Sequence, residues 1–392
     1  MLLSFALILL SGLLVGKFLS LIRLPPLIGM IGIGILIGPF CLNLIDTSVL
    51  NISSQLRQIA LVIILLRAGL NLKTDDLKKV GRPAILMCFV PASLEIIGML
   101  LVAPLFFQLD TMDSLIMGTV IAAVSPAVIV PHMLKIMDEG YGVKKGVPQM
   151  ILAGASADDV FVIVLFTSFT GMATTGSFEA LNLLRIPTSI LFGLIAGILI
   201  GLILYKLFEK TNTEPTKIII AFICISFVLV TIENTATGII GFSGLIATMV
   251  LGITFANRSE KKAKTVSEGL SKIWTAAEIM LFVLVGATVD INYAFREGSK
   301  AILLIIFVLV FRMFGVLLCM IGTKMNKKER LFSMLAYTPK ATVQAAIGAI
   351  PLSMGLKSGN TILTVAVVAI LLTAPLGSFL IDLTYKKLLK QS

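Results

Sequence analysis

The sequence has 392 residues, 57% of them hydrophobic and only 14% charged, with a formal net charge of +11. A mean hydropathy of +1.04 excludes a soluble domain of this length and predicts an all-α chain that crosses a membrane many times. The basic excess is scattered over short loops without interleaved aromatics, so it gives no sign of nucleic acid as a partner.

Windows of about 19 residues resolve about thirteen candidate spans. The first runs near 2–20 and lacks the basic region and cleavage site of a removable signal, so it reads as a retained helix. The second, near 27–44, carries Gly29, Gly32, Gly34 and Gly38 at a spacing that allows close helix contact, within the chain or at a dimer face. The third and fourth fall near 54–72 and 83–107. Arg67 is close enough to the end of its span to snorkel, whereas Glu95 sits near mid-span. The fifth, near 114–137, is cut at its middle by Ser125-Pro126, and the sixth, near 147–171, carries Asp158 and Asp159 at its own middle. Spans near 186–208, 216–234, 239–257 and 272–290 follow, with Glu233 and Glu278 close to span ends. The eleventh, near 299–322, holds Arg312 at mid-span. The twelfth, near 331–354, is interrupted by Thr338-Pro339 with Lys340 directly after, and the last runs near 360–384. Cys41, Cys88, Cys224 and Cys319 fall singly in or beside apolar segments, without metal-ligand spacing, and are expected free.

Assigning the loops alternately to two sides places the great majority of the 32 Lys and Arg on one side. Lys73, Lys78, Lys79 and Arg82 are among them, as are Arg258, Lys261, Lys262 and Lys264. By the positive-inside rule the N-terminus is outside and the C-terminus cytoplasmic, as in a multi-pass protein of the cell membrane. Arg67, Arg312 and Lys340 are left inside spans.

Pro126 and Pro339 each remove a backbone donor and clash with the carbonyl a turn earlier, freeing polar groups where no bulk water can satisfy them. Such breaks are tolerated only where they face protein or a wet cavity. Thr-Pro-Lys-Ala at the second break echoes Ser-Pro-Ala-Val at 125–128, and each broken span is fifth in a six-span unit. The units begin an odd number of spans apart and so insert with opposite orientation. One transmembrane domain over 1–392 is therefore expected, with repeat one at about 2–171, a linker helix at about 186–208 and repeat two at about 216–384. Inverted repeats with crossed broken helices mark the binding site of secondary transporters.

Adjacent carboxylates at bilayer depth cost roughly 2.5–3.5 kcal/mol each on insertion scales and default to an ion or proton pathway. Neighbours on a helix point about 100° apart, so Asp159 is assigned as the ion carrier and Asp158 as the partner of a base. Burial disfavours a charged carboxylate, which lets one group hold a proton or a cation in turn near neutral pH. Ser125, Ser156 and Thr342 are hydroxyls near the breaks, suited to completing an oxygen shell or to helix packing. The repeat relation also brings Glu95 and Arg312 to equivalent positions, where they would neutralise each other. Lys340 is placed either to offset freed carbonyls at the break or to pair with Asp158. His132, the sole histidine, lies near the end of the fifth span and reads as an interfacial residue or a pH sensor.

Three stretches, AAVSPAVIVP, GYGVKKGVPQMILAGASADDVF and YTPKATVQAAIGAIPL, resemble the sodium/proton exchangers of the NHA branch of the cation:proton antiporter superfamily. LVGATVD at 284–290 and FRMFGV at 311–316 look like second-half motifs of the same superfamily, and the similarity covers essentially the whole chain. The resemblance implies a homodimeric, elevator-type antiporter embedded in lipid, without cofactor or enzymatic activity. It implies that Asp158 and Asp159 bind Na+ or Li+ in competition with protons, and that Arg312 stands at the family's basic position. Many relatives carry Lys there, and an arginine does not readily release a proton. Stoichiometry then turns on Lys340: one proton per cation if it stays charged, two if it lets its proton go. A sodium-coupled organic-anion symporter is the alternative, since that class shares crossed broken helices, but it binds its cation with neutral oxygens. An intramembrane aspartyl protease would need its carboxylates on two helices, and nothing resembles a channel's selectivity filter.

Overall fold

The computed structural model describes residues 1–22, 24–72, 81–175, 185–209, 211, 213–235 and 241–391. Among these residues all regular structure is helical, apart from a single β-bridge between Tyr141 and Gln391. The chain opens with α1 (Leu2–Leu21), α2 (Pro26–Ile37), the short α3 (Thr47–Asn51) and α4 (Ser53–Asn71). It continues with α5 (Arg82–Met87), α6 (Val90–Phe107), α7 (Thr111–Ala122), α8 (Pro126–Asp138) and α9 (Val147–Thr175). Then come α10 (Arg185–Glu209), α11 (Pro215–Thr235), α12 (Gly244–Arg258), α13 (Glu260–Ala287) and α14 (Ile291–Cys319). The last stretch holds α15 (Lys327–Ala336), α16 (Thr342–Ile347), the single turn α17 (Ile350–Ser353) and α18 (Gly359–Leu388). By length and composition, nine helical stretches among the described residues suffice to cross a membrane.

Helix starts follow local chemistry. Asp110, Ser243, Asp290 and Asn326 each accept a backbone N–H of the first turn, and Asn326 with Glu329 forms a capping box. Two expected spans are shorter or more broken than their hydropathy implies. Gly38 is extended because Pro39 follows it, so α2 ends at Ile37 and not near 44. The fourth span divides at Cys88 and Phe89, because Pro91 cannot donate to the carbonyl of Met87. That carbonyl accepts the Tyr337 hydroxyl at 3.1 Å instead.

The helices gather into two compact units. One comprises Met1–Arg57, Asp76–Val162 and Ile279–Ser392, the other Gln58–Asp75 and Ile163–Glu278. In the first, α6 packs along α7 and α14, while α14 and α15 pack on α18. The turn after α8 is held from both sides there: Lys145 bridges to the buried Glu329 at 2.8 Å, and Tyr385 donates to Glu139 at 2.8 Å. That hydroxyl holds the Glu139 carboxyl below its ordinary range. His132 contacts the Ser378 hydroxyl at 3.1 Å and stands 3.5 Å from Asp382. In the second unit, α12 lies between α10 and α11. Glu233 on α11 accepts from the amides of Gly244 and Leu245 at 2.8 and 3.3 Å, so it caps α12. Leu191, Leu199, Ile203 and Leu207 stay exposed along α10, an apolar face suited to lipid.

The glycines of α2 divide in their surroundings. A Cβ on Gly34 would meet the backbone of Val283 and one on Gly38 the backbone of Ala287, whereas one on Gly32 would meet nothing within 4 Å. Intramolecular contact therefore accounts for the first two. Gly34→Ala is expected to destabilise the protein by about 1–3 kcal/mol through overpacking. Gly32→Ala should leave stability unchanged or slightly higher, as Ala favours helix. Thermal unfolding of both variants in detergent checks the contrast.

Candidate functional site

Both breaks forecast from the prolines are present, and both lie in the first unit. Between α7 and α8, residues Ala123 to Ser125 are unwound; between α15 and α16, Tyr337 to Ala341 are. The two meet directly, with the Ser125 amide donating to the Pro339 carbonyl at 2.8 Å. Gly377 on α18 lets them be packed from behind, since a Cβ there would collide with the Pro339 ring.

In the absence of water the freed backbone groups need side-chain partners. Pro126 deprives the carbonyl of Ala122, which accepts from the Arg312 guanidinium. Pro339 deprives that of Leu335, which accepts the Thr338 hydroxyl at 2.9 Å. The Ile121 carbonyl takes Lys340 Nζ at 2.7 Å and Gln344 Nε2 at 3.1 Å, and that of Ala123 takes Gln344 Nε2 at 2.8 Å. The Val124 amide donates to Asp158 Oδ2 at 3.2 Å, and the Lys340 amide to Thr373 Oγ1 at 2.9 Å.

The same side chains form a buried charge network. Arg312 lies 2.7 Å from Glu95 Oε2 and 3.0 Å from Asp158 Oδ2, and its Nε donates to the Tyr337 carbonyl at 2.7 Å. Lys340 Nζ lies 2.7 Å from Glu95 Oε1. Of the two roles left open for Lys340, the structure gives the one on freed carbonyls. Its carboxylate neighbour is Glu95, while Asp158 is engaged by Arg312. Glu95, Arg312 and Lys340 are wholly inaccessible, and Asp159 is 5% exposed.

Among the oxygens around this network without a hydrogen-bond partner among the described residues are Ser125 Oγ, Thr342 Oγ1, Asp158 Oδ1, Asp159 Oδ1 and Gln344 Oε1. Buried acceptors of this kind fit a hard monovalent cation, which takes oxygen ligands. The side chain of Ser156 lies outside the described residues. Gln344, Thr373 and Tyr337 were missed from sequence. Each is a neutral polar residue in an apolar run, and only its place relative to the break makes it part of the site.

Residues 5–387 match the family model described as sodium/hydrogen exchanger, transmembrane. The chain belongs to the sodium/hydrogen exchanger family. This exchanger is 34% identical over 389 residues to sodium/hydrogen exchanger 9B2 of Mus musculus, covering 96% of the chain and 70% of that relative. It is 30% identical over 400 residues to sodium/hydrogen exchanger 9B1 of Homo sapiens, covering 97% and 76%. Its fold is similar to that of the sodium proton antiporter MjNhaP1 from Methanocaldococcus jannaschii, with a TM-score of 0.87, 20% identity and coverage of 98% and 97%. The exchanger is accordingly an all-α, polytopic membrane protein.

Glu95→Gln takes the carboxylate from Lys340 and Arg312→Met takes the base from Asp158, so each should destabilise by about 3–5 kcal/mol. The double variant leaves one buried base, Lys340, and one buried acid, Asp158, with no net charge, and should recover much of that loss. A double-mutant cycle of thermal stability reads the coupling.

Proposed function

We propose that this exchanger carries one Na+ inward or outward against one H+, and that Asp159 is the group that holds each in turn. One observation carries this reading. Three buried carboxylates face two buried cations, and Glu95 and Asp158 are taken up by Lys340 and Arg312. Asp159 is the carboxylate left over, and a buried charge without a partner is costly. A proton or a cation restores neutrality, so the two compete for one carboxylate. Ser125, Thr342 and Asp158 would supply further oxygens to Na+ or Li+, with Ser156 a further hydroxyl donor. Pro126 and Pro339 hold the unwound segments that expose these groups.

The crossed breaks and the seven-span offset in the sequence support two inverted repeats in one transmembrane domain, with the first unit's network moving intact as the cargo-bearing body of an elevator. The loop charges support an N-terminus outside and a cytoplasmic C-terminus in the cell membrane. The resemblance in sequence supports a homodimer in contact with lipid, with monovalent cations as the substrate. The acidic pair at the crossing favours this reading over a symporter with neutral cation ligands.

Asp159→Asn keeps size and loses the exchangeable charge. In proteoliposomes it should abolish Na+-driven proton release while the protein remains folded; exchange persisting at a substantial fraction of wild type would pass the role to Asp158. Competition also predicts that the apparent KM for Na+ rises as pH falls. Charge balance is tested under a potential set by K+ and valinomycin. With Arg312 and Lys340 both committed to carboxylates, the Na+/H+ reversal point should not move with voltage.

A further inference from the structure

We propose that Gln344 is a positioning residue that caps the end of α7, keeps the transported cation off the helix carbonyls and thereby sets selectivity for small cations. The inference rests on the reading that the cation binds at the crossing. The last carbonyls of a helix have no intrahelical partner and carry partial negative charge. At the broken helices of transporters such ends are natural cation ligands. Here they are occupied from within. Ile121 accepts from Lys340 and Gln344, Ala122 from Arg312, and Ala123 from Gln344.

The lysine and the arginine also carry charge to Glu95 and Asp158, so their loss would disturb more than the cap. Gln344 is neutral, fully buried, and reaches both Ile121 and Ala123 through one nitrogen. Its amide orientation is fixed by chemistry, because turning it would set Oε1 against two carbonyl oxygens. With these helix carbonyls engaged, the oxygens left without a partner at the crossing are those of Asp158, Asp159, Ser125 and Thr342 and the side-chain Oε1 of Gln344. A small set of strong ligands favours Na+ and Li+, and an added carbonyl raises the coordination number in favour of K+.

Gln344→Met preserves length and removes both donors, freeing the Ala123 carbonyl. In proteoliposomes the half-saturating K+ concentration relative to Na+ should fall about tenfold. A ratio within about twofold of wild type, whatever happens to rate or melting temperature, overturns the proposal. Gln344→Glu adds a readout that a packing role would not move. Its acid form retains one donor and its carboxylate none, so selectivity should lie near wild type at low pH and near the Met variant at high pH. A pH-independent selectivity in that variant, or failure of both variants to fold, also counts against the cap. Cation-dependent thermal stabilisation is measured beside transport, with Asp159→Asn as the reference. If that variant loses stabilisation by Na+, the crossing is upheld as the site whatever Gln344 does; if it keeps it, the site itself is wrong.

Discussion

The structure depends on what one guanidinium can hold. Arg312 reaches the Ala122 carbonyl in one break, the Tyr337 carbonyl in the other, and the carboxylates of Glu95 and Asp158. Its donors form a rigid planar fork, and it stays charged at any physiological pH. Lysine offers a point charge with three donors and could not span the same four acceptors. The basic residue of α14 is thus a structural staple first, joining both breaks to two carboxylates. Around it the crossing becomes a place where the backbone is unwound yet almost every polar group has a partner.

Proline sets the problem and side chains solve it. Pro91, Pro126 and Pro339 each deny a hydrogen bond to the carbonyl four residues before them, and Tyr337, Arg312 and Thr338 supply the missing donors. None of these donors is adjacent in sequence to the first two breaks, so the fourth, fifth, eleventh and twelfth spans are bound to each other by necessity. Among the groups that remain without partners are oxygens on the unwound segment of Ser125, on Thr342 and Gln344 of α16 and on the aspartates of α9. A crossing that leaves several oxygens over has the polarity a cation requires.

Much of this was legible in the chain. Proline inside an apolar span, paired aspartates at mid-depth, and opposite charges at repeat-equivalent positions are each costly enough to announce themselves, and Glu95 does meet Arg312 at 2.7 Å. What was hidden depended on rotation and rise over a few residues. Lys340 turns toward Glu95 and Ile121 rather than toward Asp158, because the unwound turn directs it and no periodicity applies there. Gln344 and Thr373 carry no charge and carry little penalty in a hydropathy window. Pro91 falls inside the span near 83–107, where the apolar residues on both sides of it keep the hydropathy unbroken.

The hydrogen bond from the Ser125 amide to the Pro339 carbonyl has a consequence in time as well as in space. Its neighbour, the Val124 amide, is likewise bonded outside its own helix, to Asp158. Amides within α7 or α8 are protected by their own helix and exchange with solvent as that helix frays. These two are protected only while the breaks stay crossed and the aspartate stays in place. Their deuterium uptake would therefore clock the parting of the crossing itself, separately from the unfolding of the helices on either side.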